Sequence, residues 1–446
     1  MTPGARLEAA RELLDAVWQG TTPPDVLADE YFRKRRYAGS SDRRAIQDHV
    51  YAVLRRRARL DWWIARTGFD LPTEGRTRLI AWLVLAERTA PDALADMFSG
   101  QRHCPAELSA TERDLADALY GRPLNHRDMP VDVAYEFPAW MAPSFERLWG
   151  DGLNAELAAL NQIAPVDLRA NGLKATREEA RAALSEAFIE TEETPFSPLG
   201  LRVVGHPRLG GTAAFKDGLV EIQDEGSQLI ALMTGARPGM TVIDFCAGAG
   251  GKALALAAML ARDGHVAGRL TACDVSRTRL ERLKPRLARA GAHAVKCRVI
   301  AATGDSWVAE NAGTADRVLV DAPCTGTGTW RRDPNAKWRF QPTDLDDLIA
   351  LQRAILTEAA QLVKPGGRLI YATCSLLPEE NEHQLLWFLE QYPGFQALPV
   401  GAVWAETLGG AGPPGGPGLR MSPASTGTDG FFCSVLETNV SHGKTS

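Results

Sequence analysis

No apolar run in this 446-residue chain approaches the ~20 residues a bilayer-spanning helix needs; the longest, 253–261, covers nine positions. The beginning, MTPGARLEAARELLDAV, mixes charge with apolar residues and contains no signal-peptide core. Neither an integral membrane protein nor a secreted one is expected. Cysteine is sparse and shows no pairing pattern. There are seven, an odd number, with no CxxC, in a chain long enough to fill sizeable cores without a disulfide framework. A reducing cytoplasm is the expected setting. The eight histidines are scattered, and only His103 and Cys104 adjoin, so no metal site is expected. Positive charge is not in excess either: 50 Lys+Arg oppose 55 Asp+Glu, for a net charge of −5. At first sight that argues against a nucleic-acid partner.

The average hides a local excess. Residues 33–66 carry eleven Lys/Arg against Asp42, Asp48 and Asp61, a net of +8, interleaved with Tyr37, Tyr51, Trp62 and Trp63. A charge run is usually a solvated face. One sign of charge with aromatics between points instead to RNA, with Arg35 and Arg55 among the expected contacts.

Periodicity divides the chain. Residues 1–125 read as all-helical, with apolar residues at three- and four-residue spacing through Leu7, Ala10, Leu14 and Val17 and again through Ile46, Val50, Val53 and Leu54. The stretch RLIAWLVLAERT is apolar nearly all round and predicts a buried helix. Residues 126–164, with Pro123, Pro130, Pro138 and Pro143 in or beside them, read as a packed linker, because Trp140, Phe145 and Trp149 need something to bury against. Residues 165–235 read as a small α+β subdomain. From 236 to 440, short apolar runs (MTVIDFCA, RLTACDV, VKCRVIA, DRVLVDA, RLIYATC) alternate with amphipathic helix candidates, which predicts a doubly wound parallel sheet. GGAGPPGGPG at 409–418 reads as a loop and DGFFCSVLE as a last strand.

In such a sheet, ligands bind at the carboxyl ends of the strands. The first strand ends in Asp244-Phe-Cys-Ala-Gly-Ala-Gly-Gly-Lys252. A P-loop would need Gly at 246 and Ser or Thr at 253, where Cys246 and Ala253 stand; a dinucleotide G-x-G-x-x-G also fails at 253. The form acid-x-small-x-Gly-x-Gly, a methyltransferase loop, fits Asp244 to Gly250. The second strand ends at Asp274, at the spacing where a carboxylate meets a ribose diol, although a helix cap is the plainer alternative. The third leads to Asp305 in a Gly-Asp turn. The fourth ends in Asp321-Ala-Pro-Cys324 and the fifth in Tyr371-Ala-Thr-Cys374. One cysteine at a strand end is commonly core. Two at corresponding positions, each followed by hydroxyl residues, point to chemistry. A thiolate adding to carbon 6 of a pyrimidine makes carbon 5 nucleophilic toward a methyl donor, and Asp321 could steady charge at nitrogen 3. These residues alone do not distinguish which cysteine attacks.

The series DFCAGAGGK, ACDVSRTRL, DAPCTGTGTWRRDPNAKW and YATCSLLPEENE, with LRANGLK, VEIQDEGSQL and TDGFF, resembles the RNA cytosine-C5 methyltransferases of the Sun/NOP group across roughly 135–438. SSDRRAIQDHVYAVLRRRARLDWWI resembles the NusB-type helical domain of RsmB-type ribosomal RNA enzymes. The resemblance implies a class I Rossmann-like methyltransferase domain behind a NusB-like N-terminal domain. It implies Cys374 as nucleophile, Cys324 as the thiol that assists product release, and Asp321 reaching the cytosine. Cys246, Ala247, Gly248, Ala249, Gly250, Gly251 and Lys252, with Asp274, Asp305 and Asp321, would hold S-adenosyl-L-methionine. The family's C-A-A-P-G-G-K here has Gly248 and Ala249, which keeps the loop length and both following glycines. The expected substrate is unpaired or flipped cytosine in RNA, with Arg331, Arg332, Lys337 and Trp338 beside it. Small-subunit ribosomal RNA is the first expectation, transfer RNA the second; the rival class is a non-catalytic RNA-binding assembly factor.

Overall fold

The computed structural model describes residues 1–439 apart from 21, 206, 411 and 413–415; part of the loop expected at 409–418 therefore lies outside the described residues. The chain forms two compact units. One is Met1–Gln162 with Trp330–Arg339; the other is Ile163–Thr329 with Phe340–Ser446.

The first unit is helical, as its periodicity predicts, from Pro3–Gln19 to Ala110–Leu119. Leu14, Ile46, Val53, Leu79 and Leu115 meet in one core. Gly75–Leu85 is buried on nearly every side, as expected of its apolar composition. Ser109 and Glu112 form a reciprocal capping box that starts Ala110–Leu119. The stretch expected as a packed linker carries helices Val131–Ala134, Ala142–Trp149 and Leu153–Leu160. Its aromatics do pack: Phe145 stacks on Trp149 with ring centres 4.9 Å apart and meets Trp330 edge-on at 5.9 Å.

The second unit opens with a four-stranded antiparallel sheet. Its strands Asp167–Ala170, Thr191–Glu193, Gly200–Val203 and Val220–Ile222 alternate with helices Arg177–Glu186 and Ala213–Lys216 in a βαββαβ sequence, with strand order 4-1-3-2. The larger sheet contains strands β1 (Thr241–Asp244), β2 (Arg269–Asp274), β3 (Lys296–Val299), β4 (Ala315–Asp321), β5 (Val363–Thr373), β6 (Phe395–Ala397), β7 (Leu419–Met421) and β8 (Phe431–Thr438). Their order is β6-β8-β5-β4-β1-β2-β3, with β7 on β8. β1 to β5 are mutually parallel, whereas β8 runs antiparallel to β5. Both faces are covered. Along β5, Leu369 and Tyr371 enter one core and Ile370 and Ala372 the other. That two-sided burial is why these strands read as unbroken apolar runs. The order reverses between β1 and β4, the switch point where such sheets open a crevice. Among the described residues, no helix is long and apolar enough to cross a membrane.

Candidate active site

The turn after β1 requires glycine at two positions. Gly248 (φ +56°) and Gly250 (φ +84°) are both left-handed, and a Cβ on Gly250 would lie 2.0 Å from Leu283 Cδ1. Gly250 caps the helix Gly251–Met259. Asp274, at the end of β2, holds the turn: the Gly248 N–H donates to Oδ2 at 2.8 Å and the Ser276 N–H to Oδ1 at 2.7 Å. Asp274 thus fastens the glycine turn to the carboxyl end of β2. Beside it Val275 is 56% exposed, an apolar surface suited to a purine ring.

Asp305 lies elsewhere in its bonding. It caps Ser306–Glu310, accepting from the Ala301 N–H at 2.7 Å and the Trp307 N–H at 2.9 Å, and those backbone donors lower its pKa. Both of its oxygens are therefore already engaged in the turn after β3.

The register Asp321↔Ala372 brings the loops after β4 and β5 out of the same end of the sheet. There Cys324 Sγ and Cys374 Sγ stand 3.4 Å apart. The Cys374 hydrogen bond, followed by burial, holds the Cys324 thiol well above its ordinary pKa, so it keeps its proton. Lys252 reaches across from the helix after β1 and donates to Asp321 Oδ2 at 2.7 Å. Burial pulls the Lys252 ammonium down, but Asp321 more than offsets this, helped by the Cys374 sulfur, and the net pKa is raised. The pair is a fixed cation and anion beside two thiols.

Two residues of this site carried no role in the sequence. Asp244 is fully buried with neither carboxyl oxygen bonded, and burial, then Asp321, lifts its pKa to about 8. Its signal was its place as the acid that opens the glycine loop. Glu380, inside PEENE, is fully buried between the two cysteine loops. A bare left-handed backbone at Gly248, an unpartnered carboxyl at Asp244 and a carboxylate beside exposed Val275 suit a ligand that joins an amino group, a ribose diol and a purine. S-adenosylmethionine has that donor set.

The expected RNA contacts divide differently. Lys337 is 1% exposed, its Nζ donating to Glu136 O at 2.7 Å and Asn161 Oδ1 at 2.9 Å; burial lowers its pKa to about 7. Arg55 is buried against the Gln162 carbonyl at 3.2 Å, and Arg331 is buried too. These three do not display charge to a phosphate, because all are buried, and Lys337 and Arg55 donate to carbonyl and amide oxygens inside the helical unit. Arg35 is half-buried, paired with Glu12 at 3.0 Å and over the Tyr31 ring at 3.8 Å. Arg332 is exposed, and Trp338 lies under the Arg57 guanidinium at 5.3 Å. Arg33, Lys34, Arg36 and Arg44 are exposed, and Tyr37 among them is 71% exposed.

A family model described as 16S rRNA methyltransferase RsmB/F matches residues 231–437, and one described as a Methyltr_RsmF/B-like, ferredoxin-like domain matches 137–208. The second match begins inside the helical unit and stops before the last strand of the βαββαβ sheet. The ribosomal RNA small subunit methyltransferase B of Pasteurella multocida is 30% identical, covering 98% of this chain and 96% of that protein. The probable ribosomal RNA small subunit methyltransferase B of Synechocystis is 32% identical over 70% of this chain and 69% of its own. Among solved structures, that of PH0851 is 27% identical with a TM-score of 0.77, covering 98% of this chain and 99% of that one. A sheet that opens between β1 and β4, two thiols at its lip and relatives alike from end to end place this chain in the RsmB/F family of 16S ribosomal RNA methyltransferases.

Proposed function

We propose that this chain methylates carbon 5 of a cytosine in small-subunit ribosomal RNA through a covalent bond between Cys374 and carbon 6. The observation that carries the reading is the pair of sulfurs 3.4 Å apart at the ends of adjacent parallel strands, with the Lys252–Asp321 pair beside them. The loop 246–252, Asp244 and Asp274 would hold S-adenosylmethionine, which when bound supplies an electrophilic methyl group to carbon 5 and leaves as S-adenosylhomocysteine. Cys374 forms the S–C6 bond, Asp321 Oδ1 accepts from the exocyclic N–H of the base edge, and the Lys252 ammonium offsets the negative charge that the addition places on the ring. Lys252 keeps that carboxylate oriented. Afterwards the carbon-5 proton leaves to water, its electron pair restores the C5=C6 bond, and the C6–S pair returns to Cys374. The protonated Cys324 thiol hydrogen-bonds the departing sulfur.

Reaching a base in this crevice requires an unpaired or flipped nucleotide. We assign the phosphate contacts to the exposed set Arg33, Lys34, Arg36 and Arg44, with Tyr37 as a stacking surface. The cytoplasm, where ribosomal RNA is assembled, is the matching location.

The test is a pair of substitutions. Cys374→Ser should abolish transfer of labelled methyl groups to ribosomal RNA, and Cys324→Ala should accumulate a protein–RNA adduct on a denaturing gel. Full turnover in Cys374→Ser would overturn the mechanism. Bisulfite sequencing of RNA from cells lacking the gene identifies the cytosine; loss of a mark in transfer RNA alone would move the substrate.

A further inference from the structure

Glu380 occupies an unusual place for a carboxylate. It sits in a short turn, Pro378–Glu380, with no exposed surface. Its Oε1 accepts from the Thr325 N–H at 2.9 Å and from Gln352 Nε2 at 3.0 Å. Its Oε2 accepts from the Thr325 hydroxyl at 2.5 Å and from the Ser375 hydroxyl. Thr325 directly follows Cys324, and Ser375 directly follows Cys374. One side chain therefore grips the residue next to each thiol. Gln352 extends the grip, because its Nε2 also donates to the carbonyl of Pro323, just before Cys324.

The chemistry of the clamp is specific. An ionised carboxylate offers about four lone-pair sites, and four donors meet it. Further bonds run between the same loops: the Gly328 N–H donates to Cys374 O at 2.9 Å and the Leu376 N–H to Thr327 Oγ1 at 2.7 Å. The Tyr371 hydroxyl, from β5, donates to the Glu380 carbonyl at 2.6 Å and fixes the turn itself.

We infer that Glu380 is a positioning residue for product release, holding the Cys324 loop against the Cys374 loop so that the two sulfurs stay in contact once Cys374 is bonded to the cytosine. This rests on the covalent reading above. Attack uses Cys374 alone. Release needs the second thiol in place: as the carbon-5 proton passes to water and the C6–S bond breaks, the electron pair left on Cys374 is met by the Cys324 S–H. Loosening the clamp separates the thiols and slows the second half more than the first.

Glu380→Gln is the sharpest probe. It conserves size but replaces one acceptor oxygen with an NH₂ group that faces donors. With the full chain, S-adenosylmethionine and small-subunit ribosomal RNA, turnover should fall about a hundredfold, the scale of a misplacement of ~1 Å. Adduct on a denaturing gel should rise above wild type, as in Cys324→Ala. Thr325→Val, which removes one hydroxyl donor and keeps the N–H, should show the same pattern more weakly, and it decides the matter if Glu380→Gln does not fold. Lost turnover without adduct in these variants, while Cys324→Ala does trap adduct, would reduce Glu380 to a structural part. Wild-type turnover in both would also overturn the inference. Absence of adduct in Cys324→Ala as well would instead remove the covalent reading beneath it.

Discussion

Asp244 combines complete burial with two unbonded carboxyl oxygens, and the price is visible in its acidity. In an unfolded chain the group ionises at 3.8; in the fold, burial and then Asp321 move this to about 8. Between those values the folded state binds the extra proton, so stability falls as pH rises through the window. Asp244→Asn has no proton to lose. Its Tm relative to wild type should therefore be more favourable at about pH 8.5 than at about pH 5. An identical difference at both pH values would mean that Asp244 is ionised in the fold throughout. The two cysteines were legible because their strands end in corresponding motifs. The burial of Lys337 was not. Its partners Glu136 and Asn161 lie far away in sequence, and a lysine beside two arginines reads as surface.

The turn from β1 into Gly251–Met259 shows how far one element constrains its ligand. Alanine at 250 would carry φ +84° at a strain of about 1–2 kcal/mol and would press on Leu283, which is fully buried. Gly250→Ala should weaken S-adenosylmethionine binding about tenfold or more, equivalent to ~1.4 kcal/mol, by calorimetry. Unchanged affinity would show that the loop does not shape the cofactor site. The central parallel strands β1, β4 and β5 were readable because burial on both faces makes them nearly continuously apolar between turn signals. The helices within 126–164 were not, for a physical reason. Pro130 and Pro138 precede helical turns and Pro143 lies in the first turn of Ala142–Trp149, positions where a missing N–H does no harm. Prolines that read as breaks are starts. The insertion of β8 between β5 and β6 was equally hidden, since strand order depends on pairing across long stretches of sequence.

Over the whole molecule, a net charge of −5 coexists with an exposed cationic set in the helical unit. Replacing Arg33, Lys34 and Arg36 together with alanine should raise the KM for RNA and leave kcat at saturating RNA unchanged. Each lost phosphate contact should also flatten the slope of log affinity against log salt by about 0.7. A salt slope equal to that of wild type would remove this surface from the RNA path. Composition alone could not find it, because four of the eleven cations in 33–66 are exposed at its start and the others are divided between surface, half-buried pairs and interior.

The excursion Trp330–Arg339 has a consequence for how the chain can be divided. The backbone passes between the two units at Gln162–Ile163, again at Thr329–Trp330 and a third time at Arg339–Phe340. Neither unit is a continuous stretch of sequence. Cleaving the 162–163 bond frees 1–162 as a separate polypeptide but leaves Trp330–Arg339 tethered at both ends to the other unit, and deleting 1–162 strips Lys337 of its acceptors while its own segment remains. Part of the helical unit is encoded from six residues beyond Cys324 onward, so removing 1–162 does not remove the whole of it.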